Sequence, residues 1–244
     1  MAIRLLPFRD YDEHDVINLY SLKAGEVNDT LNESGTGDAG VFVQVAEGDL
    51  DKSPVEYGAD TGNYMMGGHT IPHLGFNKYP SVPLTVKATT AAGDGTGSPV
   101  IGMTLRQTAK LDENGENLLR YPVKLDEHQA VSPGQAVPLA TKGIFMLDAG
   151  VISDKKLGGA AGSYHANDNP FAGATAFLGA EAGKLGFSKN GFAVADEGGA
   201  DYTTPVGTVL AVGTRSAGGP SNIDVHAIDH VSLGKLIILL KLEL

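Results

Sequence analysis

Residues Leu118–Leu147 read LLRYPVKLDEHQAVSPGQAVPLATKGIFML, and the fold class turns on this stretch. It holds three short apolar runs, LLRYPVKL, QAVPLA and GIFML, set apart by polar or Gly/Pro turns. Runs of this length, rich in Val, Ile, Leu and aromatics, read as strands. Pro122, Pro133 and Pro138 fall in or beside them, and proline breaks a helix interior. Upstream, LDENGENLL offers Asn114-Gly115 for the positive-φ positions of a tight hairpin turn. The expectation is an antiparallel pairing of Val100–Lys110 with Leu118–Leu125.

Working outward, Gly134–Lys142 (GQAVPLATK) aligns without a gap on Gly207–Arg215 (GTVLAVGTR), 73 residues later. Each copy follows a proline, Pro133 or Pro205. Two copies are too few for a solenoid. They are either two strands with similar turn chemistry or a pseudo-symmetric pair in one barrel or sandwich. Further strands are expected at VFVQV (Val41–Val45), VPLTVKA (Val82–Ala88), GFAVAD (Gly191–Asp196) and IDVHAID (Ile223–Asp229). VINLYSL, at 16–22, fits a helix capped by Asp12 or a strand with Ile17 and Leu19 on one side. Lys23–Gly40 reads as a polar, mobile loop, and residues 51–80 as an irregular one whose aromatics and methionines must be buried somewhere. The Ala/Gly-rich FAGATAFLGAEAGKLGF offers at most one poor helix.

The resulting class is all-β: an antiparallel barrel or sandwich with long irregular Gly-rich loops and little helix. The expected division is an extended, loop-rich β region at 1–90 and a barrel-like domain at 91–244. The second carries a Gly/Ala-rich insertion at about 148–190. The 33 glycines and 12 prolines follow no strict period, which excludes collagen. The net charge of −11 repels phosphate backbones, so nucleic acid is not an expected partner. The absence of cysteine excludes disulfides and thiolate chemistry. No signal-peptide pattern is read in MAIRLLPFRDYDEHD. The apolar run Leu236–Leu240 is far short of the ~20 residues that span a bilayer, so no membrane is expected either.

Reactive constellations are weak. His69 and His73 have a spacing that brings two imidazoles together on a helix, but Gly67, Gly68 and Pro72 forbid the helix. Gly93–Pro99 (GDGTGSP) lacks the lysine of a phosphate-binding loop. Asp112–Asn117 (DENGEN) shares a rhythm with calcium loops but lacks the closing glutamate, and a hairpin explains it. His165–Pro170 (HANDNP) is a polar turn, and DEHD (Asp12–Asp15) and DEH (Asp126–His128) are charge runs of solvated faces. No G-x-S-x-G elbow occurs. No catalytic residue, cofactor or metal is therefore assigned, and the expectation is a protein that is not an enzyme.

Three stretches resemble the capsid decoration (cement) proteins of tailed bacteriophages, cyanophages especially. They are KLDENGENLLRYPVKLDEHQAVSPGQAVPLATKGIFMLDAG (110–150), ADYTTPVGTVLAVGTRSAGG (200–219) and RLLPFRDYDEHDVINLYSL (4–22). The resemblance implies a small β-barrel on the capsid exterior, a virion protein made in the host cytoplasm. It implies the major capsid protein and the chain itself as partners, the latter as homotrimers at quasi-three-fold positions. It assigns no catalytic residue and no particular capsid contact. A tail or baseplate component is the alternative in the same class. A metal- or sugar-binding β-barrel or enzyme using His69 and His73 is the alternative in another.

The C-terminal Leu236, Ile237, Ile238, Leu239 and Leu240 are consecutive, so a strand there presents large apolar groups on both faces. At a sheet edge, one face needs cover from the 51–80 loop or from a neighbouring subunit. Leu236, Ile238 and Leu240 are accordingly the candidate self-association residues.

Overall fold

The run from Leu139 to Asp148 belongs to two sheets, and the rest of the chain is arranged around that passage. The computed structural model describes residues 5–31, 33–48, 64–66, 69–71, 84–89, 99–118, 122–151, 172–179, 181–188, 205–214 and 236–244. Its first strands are β1 (Leu5–Asp10), β2 (Val16–Ile17), β3 (Ser21–Leu22), β4 (Asn28–Thr30), β5 (Phe42–Glu47), β6 (Tyr64–Met66), β7 (His69–Ile71) and β8 (Thr85–Ala88). Next come β9 (Val100–Thr104), β10 (Gln107–Leu111), a helix α1 (Pro122–Glu127), β11 (Ala130–Val131), β12 (Leu139–Ala140) and β13 (Lys142–Asp148). The last are β14 (Thr175–Leu178), β15 (Leu185–Ser188), β16 (Pro205–Thr214) and β17 (Leu236–Glu243). The protein is all-β.

Two six-stranded sheets dominate. The first has the order β1-β13-β17-β16-β14-β15 and is antiparallel throughout. The second has the order β2-β12-β9-β5-β8-β3, antiparallel except for the β3–β8 pair. A three-stranded parallel sheet, β11-β10-β4, and the β6–β7 hairpin complete the pairing among the described residues. The pairs β1–β13, β2–β12 and β5–β9 each join residues 1–90 to residues 91–244.

Only Thr141 separates β12, in the second sheet, from β13, in the first. The N-terminal segment follows the same corner from the other side, β1 pairing with β13 and β2 with β12. At the turn, the Thr141 backbone N–H (2.8 Å) and hydroxyl (2.9 Å) both donate to the Asp15 carbonyl. Gly143 adopts φ +135°, a region L side chains rarely enter. A Cβ there would lie 2.8 Å from both the Asp10 carbonyl oxygen and Tyr11 Cβ. A residue without a side chain thus stands where two chain segments cross closely.

The main core fills the space between the two sheets. Phe42, Met103 and Ala140 come from the second sheet; Phe145, Leu147, Val209, Phe187, Ile238 and Leu240 come from the first. All are buried, and each large side chain removed from water contributes ~1.5–3 kcal/mol. A second cluster, including Leu22, Val43, Val86, Val137 and Leu139, covers the other face of the second sheet. A third, Leu31, Ala109, Leu118 and Ala130, lies against the three-stranded sheet, with Leu125 of α1 packed on it.

Several expectations are corrected. Leu118–Leu125 is not a strand paired with Val100–Lys110, because Pro122–Glu127 is helical. Proline is well tolerated at the first helical position, where its missing N–H has no partner to lose. Residues 100–111 instead form two strands in different sheets, and only the Leu111–Asn117 bridge survives of the expected hairpin. The Ala/Gly-rich segment forms the β14–β15 pair, not a helix, with Gly183 at φ +68° in its turn. VINLYSL is neither the helix nor a single strand: Val16–Ile17 and Ser21–Leu22 are separate short strands with Leu19 exposed between them, preceded by a 3-10 turn at Glu13–Asp15 whose His14 N–H donates to Asp12 Oδ1. The loop expected to be mobile, Lys23–Gly40, contains β4 and the buried Asn28. The Asn28 amide donates to Asp38 Oδ1 (2.7 Å) and to the Glu33 carbonyl (3.0 Å), and accepts from Gly37 N–H (3.1 Å). The two aligned copies are not a symmetric pair: one is a ten-residue strand of the first sheet, the other supplies only β12 to the second. GFAVAD and IDVHAID lie outside the described residues.

The terminal strand is corrected too. β17 is not an edge but lies between β13 and β16. Candidate residues Ile238 and Leu240 are fully buried in the chain's own core, so the surface this strand offers a neighbour is its other face. There Ile237 and Leu239 are half-buried.

The corner sets a measurable expectation. Gly143→Ala combines forbidden backbone with a clash against neighbouring chain and should cost roughly 2–4 kcal/mol in chemical denaturation. A loss below ~1 kcal/mol would show that the corner relaxes freely.

Candidate functional site

Among the described residues one grouping of charged side chains is built on the Asp112 turn. β10 ends at Leu111, and Gly115 N–H donates to the Asp112 carbonyl (3.1 Å). Gly115 then takes φ +80°, and Asp112 N–H closes on the Glu116 carbonyl (2.8 Å). This is a type I turn followed by a left-handed glycine, one of the common three-residue hairpin loops. Asn114 keeps a negative φ, so the Asn-Gly pair acts through its glycine alone.

Asp112 is inaccessible to solvent, and each of its carboxylate oxygens is occupied. Oδ1 accepts from the backbone N–H groups of Asn114 (2.9 Å) and Glu116 (2.8 Å). Oδ2 accepts from Lys124 Nζ, projected from α1. Glu113 Oε1 lies 3.8 Å from the same ammonium, and His128 Nε2 is 4.0 Å from Glu113 Oε2. The Lys124 hydrogen bond, and then that of the Glu116 N–H, hold the Asp112 carboxyl below the usual carboxylate range. Desolvation opposes them and is weaker. Reciprocally, the hydrogen bond to Asp112 raises Lys124 above the usual lysine value. The helix is further tied down by Gln107, whose side-chain amide donates to the His128 carbonyl (2.9 Å).

An acid with both oxygens consumed by its own fold is no general base and no cation ligand. The cluster fastens α1 to the β10 turn. Sequence reading singled out the Asp112–Asn117 turn and the Asp126–His128 run separately and missed Lys124 between them. The missed signal is a lysine beside a proline able to start a helix, twelve residues after an acid-rich turn.

The other sequence candidates do not converge. His69 is the first residue of β7, while His73, most of Gly93–Pro99 and His165–Pro170 lie outside the described residues. Asp12–Asp15 forms the 3-10 turn beside the corner. Among the described residues no group of three or more His, Asp or Glu is arranged to hold a metal ion. No helix among them is long and apolar enough to cross a membrane. Arg9 is half-buried, its guanidinium donating to the Leu105 carbonyl (3.1 Å), and burial lowers its pKa from the usual value.

What remains is surface. The large apolar side chains exposed among the described residues are Phe8, Tyr11, Leu19, Val123 and Leu210. Tyr11 also stacks on buried Phe145, with ring centroids 5.7 Å apart. Half-buried Ile144, Met146, Ile237 and Leu239 lie on the first sheet. No family model matches the chain, and neither the curated proteins nor the solved structures contain a match to it.

Two outcomes check the turn. Because the Asp112 pKa is lower folded than unfolded, its contribution is full above pH ~4 and lost as pH falls towards the folded value. The melting temperature should therefore drop more steeply below pH ~4 in the wild type than in Asp112→Asn. Equal slopes would show the carboxylate to be unperturbed. Gly115→Val forces a β-branched residue to positive φ and should cost roughly 1 kcal/mol or more by denaturant titration, whereas no loss would mean the turn re-forms.

Proposed function

We propose that the protein is a structural component of a tailed-phage virion, seated on the outer surface of the capsid, where it decorates or cements the lattice of the major capsid protein. On this reading it is not an enzyme and takes no cofactor. Its partners are the major capsid protein and further copies of itself, as the homotrimer the resemblance implies, and neither nucleic acid nor membrane. The observation that carries the reading is the likeness of residues 4–22, 110–150 and 200–219 to capsid decoration proteins. These three stretches, distant in sequence, supply β1, β13 and β16 of one sheet and β2, β3 and β12 of the other. The likeness thus falls on the framework of the fold.

Two physical features support it. The dense charge cluster at Asp112 is consumed in holding the chain together. The net charge of −11 disfavours competition for an encapsidated genome.

The test is the copy number of the chain in purified virions of the phage that encodes it, measured against the major capsid protein. A number on the scale of the capsid subunits, with the chain lost from tails when heads and tails are separated, is expected. A few copies that travel with the tail would overturn the reading in favour of a tail or baseplate component. Absence from the particle, with stoichiometric metal or a bound sugar in the isolated protein, would favour the binding-protein alternative at His69 and His73.

A further inference from the structure

Residues directly opposed in a sheet share a face, so the registers of the first sheet map its outer surface row by row. One row is Asp10, Ile144, Lys241 and Thr208. The next is Met146, Leu239 and Ala211, and the third Asp148, Ile237 and Gly213. Phe8, in the irregular stretch of β1 between Leu5 and Arg9, is 49% exposed and so is turned away from the core. Leu210, at the irregularity between Val209 and Ala211, is 39% exposed. Phe8, Ile144, Met146, Ile237, Leu239 and Leu210 therefore form an apolar band across four strands, on the side away from the core. Contiguous apolar surface rimmed by polar groups marks an interaction site.

The rim indicates the occupant. Lys142 and Glu243 are opposed at one end of the face, with Lys241 beside them, while Asp148 stands at the other end of β13. Lys142 and Asp148 lie on one face of a single strand, about 20 Å apart at the usual rise. Two lysines against three carboxylates (Asp10, Asp148, Glu243) leave this face nearly neutral in a chain of net charge −11. Copies meeting through acidic surface would repel, and a basic partner would be drawn instead to Asp12, Glu13 and Asp15. We propose that this face is a contact between two copies of the chain related by a twofold axis, with β13 antiparallel across β13. The lysine end of each then meets the Asp148 end of the other, and the apolar bands cover one another. Such a contact is isologous and gives even numbers of chains. It goes beyond the capsid reading and does not rest on it: a twofold contact cannot itself close a trimer, so a chain making both contacts would form a hexamer.

Sedimentation of the full chain over a micromolar concentration series tests this. Dimer, or hexamer, dissociating on dilution is expected. Phe8→Asp with Leu210→Asp, both at exposed positions, should keep the wild-type circular dichroism and weaken the association at least roughly tenfold. Wild type that stays monomeric or trimeric throughout overturns the proposal, as does a folded double variant of unchanged mass. Should the variant misfold, the wild type decides alone. Peroxide oxidation of half-buried Met146 must slow as protein concentration rises, while buried Met103 stays slow throughout. A Met146 rate independent of concentration overturns the contact.

Discussion

The close crossing of the N-terminal segment over Thr141–Gly143 is the constraint on which the rest of the structure depends. β12 and β13 are consecutive in sequence but belong to different sheets, so the chain must turn sharply between them. The turn is held from outside by the Asp15 carbonyl, which accepts from both the N–H and the hydroxyl of Thr141. It is permitted from inside by the missing side chain of Gly143. Because β1 and β2 straddle the same corner, the two sheets cannot separate without breaking ladders on both sides of it. The main core, drawn from Phe42 and Met103 on one side and Phe145, Ile238 and Leu240 on the other, is enclosed by that coupling.

Polar groups are spent on the same task. Asn28, Asp38 and Thr104 lie buried in a hydrogen-bonded set that fastens the 23–40 segment, with the Thr104 hydroxyl donating to the Asp38 carbonyl (2.8 Å). Asp112 and Lys124 fasten the helix in the same way. Buried polar groups of this kind are costly unless satisfied, and when satisfied they fix one arrangement. Among the described residues these charged side chains are taken up in holding the chain together.

Much of this was legible in the sequence, unevenly. β5, β8, β13, β16 and β17 announce themselves through alternation or apolar runs, because a pleated, packed surface demands those side chains. Gly115 is legible as a turn residue, whereas nothing local marks Gly143 as the partner of a particular crossing. The helix at Pro122 was hidden because a proline that starts a helix and one that breaks it are the same letter. β14 and β15 were hidden for a different reason: Ala and Gly carry little strand preference, and their pairing is decided by the neighbouring β16. The central place of β17 depends on long-range pairing that no local pattern encodes. That placement moves its available surface from the Ile238 and Leu240 face to that of Ile237 and Leu239.

Native-state hydrogen exchange across residues 139–148 tests the central claim, that one corner couples the two sheets. If it does, the amides of Ala140, Phe145 and Leu147 exchange through the same opening, with the free energy of global unfolding. If Ala140 exchanges through a markedly cheaper opening while Phe145 and Leu147 stay protected, the sheets unfold separately and the account is wrong.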